Sequence, residues 1–152
     1  MLIGQFSSKL TDKNRLSIPK KFRQELGNEM IIAKWYEGCL ILVSKENWLN
    51  LKKRLIGETG LIISPVRDID RFILGSAFEV SLDSQGRFVL FDILLNYSEI
   101  RDEVMFVGLE DRVEIWAKEK WSEIENNAEE KASMAIETIA ITKDKNKNEK
   151  NS

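Results

Sequence analysis

The chain repeats itself, and that constrains its fold more than any other feature. The stretch from Phe6 through Lys9, Leu10, Arg15 and Leu16 to Ile18 lies over the stretch from Phe78 through Ser81, Leu82, Arg87 and Phe88 to Leu90 at an offset of 72 residues. Further on, Leu40 to Trp48 lies over Val113 to Trp121 at an offset of 73, so one residue is inserted between the blocks. Two matched blocks in the same order describe a tandem duplication of a unit of roughly 70 residues. At about 100–200 residues per domain, a chain of 152 residues holds one domain or two very small ones.

Each unit has the same local pattern. In the first, Phe6, Leu10, Leu16 and Ile18 flank a polar pentad from Thr11 to Arg15. In the second, Phe78, Val80 and Leu82 alternate, Asp83 to Arg87 intervene, and an apolar run resumes at Phe88. Apolar alternation around a polar turn is a hairpin signal. Asn14 and Gly86 occupy matching places, and both tolerate the positive φ of a tight turn.

Downstream of the first turn, Pro19 near the start, Phe22 and Leu26 four apart, and Gly27 at the end predict a two-turn helix. The matching segment starts at Asp92, a residue suited to an N-cap. Residues 30–33, 39–43, 103–107 and 113–116 are short apolar runs that predict strands. Ser44 caps an expected helix with Trp48, Leu51 and Leu55 on one stripe, closed by Gly57. Ser64 and Pro65 open another, with Val66, Ile69, Phe72 and Ile73 inward. A last helix is expected from near Lys118 to about Thr142, with Trp121, Ile124, Ala128, Ala132, Ala135 and Ile139 on a stripe that covers its own domain or meets a neighbouring subunit. Residues 143–152 contain no apolar side chain and predict disorder.

Composition excludes several kinds of chemistry. The chain has no His and one Cys, so a Ser-His-Asp triad, a Cys-His pair and a His- or Cys-built zinc site are ruled out. A lone Cys39 forms no intrachain disulfide, which fits a reducing compartment, and it reads as a small buried hydrophobe. Carboxylates are plentiful late in the chain, yet no pair stands out as acid and base, and neither a phosphate-binding nor a dinucleotide-binding glycine loop is present. No enzyme activity, cofactor or metal is therefore expected. No apolar run is long enough to span a bilayer, and the N-terminus lacks the basic region and cleavage site of a secretory signal. Trp35, Trp48, Trp116 and Trp121 fit core or subunit packing better than base stacking.

The formal charge of −2 hides an uneven distribution. Residues 1–24 carry Lys9, Lys13, Arg15, Lys20, Lys21 and Arg23 against Asp12, whereas residues 98–137 carry twelve acidic and five basic side chains. A basic turn ahead of a basic short helix is an electrostatic footprint for phosphate. Within the turn, Arg15 suits bidentate contact with guanine and Asn14 with adenine. A solvated, charged hairpin tip would give the same charge pattern. In the second turn, Asp83 and Arg87 can simply pair, and a DNA contact by Arg87 comes second.

These residues also carry a resemblance. The opening six residues, the block Lys13 to Arg23, the block Val80 to Arg87, and Val113 to Trp116 with Trp121 resemble the MraZ family of bacterial transcriptional regulators. The resemblance runs from Met1 to about residue 140 and takes in both repeats. It implies an α+β fold: a duplicated swapped-hairpin, or double-split, β-barrel of the SpoVT/AbrB type with short helices and a C-terminal helix. The family's Asp-x-x-x-Arg motif is complete at Asp83 and Arg87; in the first repeat Arg15 matches, but Thr11 stands where the Asp belongs, with Asp12 one residue late and Asn14 in place of Gly.

The expected organisation is a first repeat over 1–57, a connecting helix over 58–77, a second repeat with the C-terminal helix over 78–142, and the tail. The expected DNA contacts are Lys13, Asn14, Arg15 and Arg87 with Lys9, Lys20, Lys21 and Arg23, while Thr11, Asp12, Asp83 and Gly86 shape the turns. The resemblance implies double-stranded DNA with short direct repeats in the chain's own promoter as partner, and further copies of itself in a ring of eight or twelve. It also implies a cytoplasmic, nucleoid-associated location. The alternatives are a ring-forming scaffold for proteins and an antitoxin-type regulator of the same fold.

Overall fold

A computed structural model describes residues 1–57 and 64–151. It divides into two compact units, Met1–Lys118 and Glu119–Ser152.

The first unit holds both repeats in one shared fold. The first repeat supplies β1 (Leu2–Lys9), β2 (Arg15–Ser17), α1 (Lys20–Leu26), β3 (Met30–Lys34), β4 (Leu40–Ser44) and α2 (Lys45–Ile56). Helix α3 (Ser64–Ile73) leads to the second repeat, which supplies β5 (Phe78–Val80), β6 (Arg87–Val89), α4 (Asp92–Ser98), β7 (Glu103–Glu110) and β8 (Val113–Ala117). Among the described residues these strands form a six-stranded sheet in the order β1-β7-β8-β4-β3-β5 and a two-stranded sheet of β2 and β6.

The strand order shows the exchange. The strand β1 joins the second repeat's β7, with Leu2 opposite Glu110 and Lys9 opposite Glu103. Reciprocally, β5 joins the first repeat's β3, with Met30 opposite Val80. The centre of the sheet is the β4–β8 ladder, where Ile41 faces Glu114. Those two residues are equivalent in the repeats, being 73 apart. A local two-fold axis therefore passes between them. The same axis passes through the small sheet, where Leu16 faces its own equivalent Phe88.

The two turns are thus not simple hairpins, as the alternation alone predicts. Each turn closes on itself, but the strands that enter and leave it pair with the other repeat. Alternating apolar residues specify a half-buried strand and a face; they do not specify a partner.

Apolar periodicity explains the core between the sheets. Leu16, Phe22, Leu42, Leu94, Phe106 and Ile115 are fully buried in a cluster drawn from both repeats. Phe22 meets Phe6 edge to face at 5.0 Å. Cys39 is buried, as its place in an apolar run predicts, and its thiol donates to the Tyr36 carbonyl. Trp35, Trp48 and Trp116 are buried as well. Ser44 caps α2 by accepting from the Asn47 amide, and Gly57 closes it at φ +64°. Leu51 on that helix is buried, whereas Leu55 is exposed. In α3, Val66 and Ile73 are the buried positions. Helix α4 differs from expectation at its start: Phe91 is the cap residue, no side chain caps it, and Asp92 is the first helical residue.

The second unit continues α5 (Lys118–Asn126) and adds α6 (Ala128–Asn151). The expected single helix is interrupted at Asn127, whose side-chain amide turns back to the Glu123 carbonyl, a competition with the helix backbone that Asn favours. Beyond Thr142 the helix continues through the segment whose composition predicts disorder. Adding a residue to an existing helix is far easier than starting one, and Lys and Glu are good helix formers. Among the described residues no helix is long and apolar enough to cross a membrane.

Candidate nucleic-acid interface

The two polar turns are built alike. In the first, the Thr11 amide donates to the Arg15 carbonyl and the Asn14 amide to the Thr11 carbonyl. In the second, the Asp83 amide donates to Arg87 and the Gly86 amide to Asp83. Asn14 at φ 57° and Gly86 at φ 75° make the left-handed step that reverses the chain. The turns are then stitched to each other. The Ile18 amide donates to the Gly86 carbonyl at 3.2 Å, and its repeat equivalent, Leu90, donates to the Asn14 carbonyl at 2.8 Å.

This stitching sets where the arginines go. Along β2 and β6, side chains alternate between faces. Leu16 and Phe88 point into the core. Arg15 and Ser17 therefore lie on the outward face of β2, and Arg87 and Val89 on that of β6. Arg15 sits opposite Val89 and Arg87 opposite Ser17, so the two arginines are diagonal neighbours on one face. Such neighbours are about 7–8 Å apart.

The chemistry of the two arginines differs, for one reason. Asp83 uses one oxygen to accept from the Gln85 and Arg87 amides, at 2.9 and 3.0 Å, and the other to accept from Arg87 Nε at 2.9 Å. Those bonds, the Arg87 amide first, hold the Asp83 carboxyl below its ordinary range. Thr11 reproduces half of this. Its hydroxyl accepts from the Arg15 amide at 3.0 Å, but it has no second oxygen for the guanidinium. Among the described residues Arg15 has no ion-pair partner.

The other expected contacts are distributed around this face. Lys13 and Asp12 are exposed at the first turn, and Lys20 and Lys21 are exposed on α1. The Lys21 ammonium lies 5.7 Å from the Phe6 ring centroid. Lys9 is opposite Glu103, whose carboxylate already takes a 2.6 Å bond from Lys118 and is held below its ordinary range mainly by it. Arg23 departs furthest from the sequence picture. It belongs to the basic segment of the first turn, but its guanidinium lies against Gly86 of the second.

Some neighbours escape sequence inspection. Arg101 falls in the acidic stretch of the sequence, yet the Leu10 amide at the base of the first turn donates to the Asp102 carbonyl next to it, at 2.7 Å. Arg101, Asn96 and Asn14 line one open concavity of about 370 Å³ beside that turn. Pairing across repeats brings them together, and no local motif records it. The second repeat also carries large apolar residues where the first has Ser, Pro and Lys. Val89, Phe91 and Ile93 are 48%, 46% and 43% exposed, where the first repeat has Ser17, Pro19 and Lys21.

Comparison with known proteins agrees with the duplication. The model of a family described as "MraZ protein, putative antitoxin-like" matches twice, over residues 1–72 and 73–144. The transcriptional regulator MraZ of Thermoanaerobacter sp. (strain X514) is 38% identical over 140 residues, covering 92% of this chain and 94% of that protein. The protein of the same name from Clostridium acetobutylicum is 38% identical over 135 residues, covering 89% and 94%. That of Clostridium beijerinckii is 39% identical over 123 residues, covering 81% and 86%. With a swapped pair of repeats, an Asp-x-x-x-Arg turn in the second and relatives matched over nearly their whole length, the chain belongs to the MraZ family.

Proposed function

We propose that this chain is a transcriptional regulator that binds double-stranded DNA through the face of the β2–β6 ladder. Its relatives are named transcriptional regulators. The observation that carries the proposal is the pair of arginines, Arg15 and Arg87, diagonal on one outward face, with Arg15 free of a carboxylate. Arg15 reads guanine in the major groove, Asn14 and Lys13 flank it, and Lys20, Lys21 and Lys9 contact phosphate. Arg87 contributes less, because Asp83 engages it. Thr11, Asp12, Asp83 and Gly86 shape the turns rather than read bases.

The target is a set of short direct repeats in the promoter of the chain's own gene cluster, bound in the cytoplasm at the nucleoid. Copies of the chain assemble head to tail into a closed ring, which suits direct repeats because each copy presents the same turn in the same direction. Weak contacts then add through effective concentration. Exposed Phe91 and Ile93, at the start of α4, offer a surface for that assembly.

A fluorescence-anisotropy titration of the chain against its promoter duplex, at two salt concentrations, tests the proposal. Tighter binding to the promoter than to a shuffled duplex, lost in Arg15→Ala, supports it. Equal binding by wild type and Arg15→Ala refutes it. A scaffold without a DNA role, using the exposed Met134, Ile136, Ile139 and Ile141 of α6, would bind neither duplex even at low salt.

A further inference from the structure

The second turn holds a cation that its own repeat does not encode. Arg23 is on α1 of the first repeat, yet a methyl group on Gly86 would fall 2.0 Å from Arg23 Nη1 and 2.5 Å from its Cζ. No real contact is that short, so the guanidinium fills the space in which any other residue would carry a Cβ. Gly86 also has φ +75°, which disfavours side chains independently. The equivalent of Arg23 in the second repeat is Leu95, which supplies no cation to the first turn.

Charge at the second turn follows from its partners. Arg87 and Asp83 are bound to each other and cancel. Arg23 makes no ion pair among the described residues, and its Nε–H is buried without a partner. Packing on Gly86 holds the side chain, and its positive charge is not neutralised. Arg23 is therefore the net cation of the second turn.

We propose that Arg23 is the DNA-backbone contact of the second turn, delivered across the two-fold axis and seated on Gly86. The first turn then reads sequence, and the second grips phosphate without regard to sequence. The assignment rests on the DNA-binding function proposed above and adds a division of labour to it.

The test uses the full chain with the promoter duplex and a shuffled duplex of equal length, titrated across a salt series. The variants are Arg23→Gln, which keeps a polar side chain and loses the charge, Gly86→Ala, which evicts the guanidinium, and the double variant. Arg23→Gln is expected to weaken both duplexes by the same factor and to lower the salt slope by about 0.9. Gly86→Ala should do the same, and the double variant should lose no further slope. A merely structural Arg23 would lower the melting temperature and leave the slope unchanged, which overturns the proposal. So does a loss confined to the promoter duplex, which marks a base contact. Should Gly86→Ala fail to fold, Arg23→Gln decides alone. If Arg15→Ala still abolishes promoter preference while Arg23→Gln changes nothing, only the role of Arg23 falls. If wild type binds neither duplex, DNA binding itself falls, and the role of Arg23 with it.

Discussion

Leu16 and Phe88 face each other across the β2–β6 ladder, and each is the other's counterpart in the duplication. Both are buried, at 0% and 3% exposure. The two repeats therefore meet, at the base of their turns, through the same residue position. Truncating Leu16 to Ala should cost about 2–5 kcal/mol and Phe88 to Ala about 3–5 kcal/mol. Because the core is shared, each change should shift one common transition for Met1–Lys118. Urea unfolding followed by circular dichroism and by tryptophan fluorescence checks this: two separate transitions would contradict it.

Thr11→Asp supplies the missing second oxygen at the first turn. It should bind Arg15 in its own turn as Asp83 binds Arg87 in the other. Promoter affinity should fall, by up to the 1–3 kcal/mol of one good base contact, without loss of thermal stability. Anisotropy and a melting curve on the same sample separate the two effects. Arg87→Ala should cost less affinity than Arg15→Ala.

Lys21→Ala removes an exposed cation without touching a base-reading residue. Binding to promoter and shuffled duplexes should weaken alike, with the salt slope reduced by about 0.9. A change in promoter preference would place Lys21 at a base edge instead.

Asp83 titrates below its ordinary range because the folded turn stabilises its charged form. Its contribution to stability is present above the unfolded-state pKa, about 4, and is lost as the pH falls through the lower folded value. Asp83→Asn should therefore show a shallower loss of melting temperature than wild type below about pH 4. Parallel curves for the two proteins would mean that the carboxylate is not linked to folding.

Phe91→Pro combined with Ile93→Lys gives the second repeat the surface residues of the first, Pro19 and Lys21. The variant should remain folded and form smaller assemblies in native mass spectrometry. An unchanged assembly would move the contact elsewhere.

Sequence alone shows the elements of this fold more clearly than their pairing. Helix α2, with Ser44 and Gly57 at its ends, and the strand around Leu42 carry local signals of spacing and capping. So do the turns, through Asn14 and Gly86. The exchange of β1 and β5 leaves no such mark, since a strand's pattern is the same whichever repeat it joins. Arg23 and Arg101 show the cost of that silence. Each sits in one charge block of the sequence and next to the opposite repeat's turn in space. The end of α6 beyond Thr142 is missed for a different reason: composition measures the lack of a core-facing side, and a solvent-exposed helix needs none.

The local two-fold axis carries one more implication. In an assembly of two identical chains, any substitution appears twice and must suit both sides of the axis. Here one polypeptide supplies both halves, so a change at Thr11 leaves Asp83 untouched, and Leu95 differs freely from Arg23. Joining the halves releases each turn from copying the other. The nearly symmetric unit Met1–Lys118 can thereby present two unlike turns from one fold.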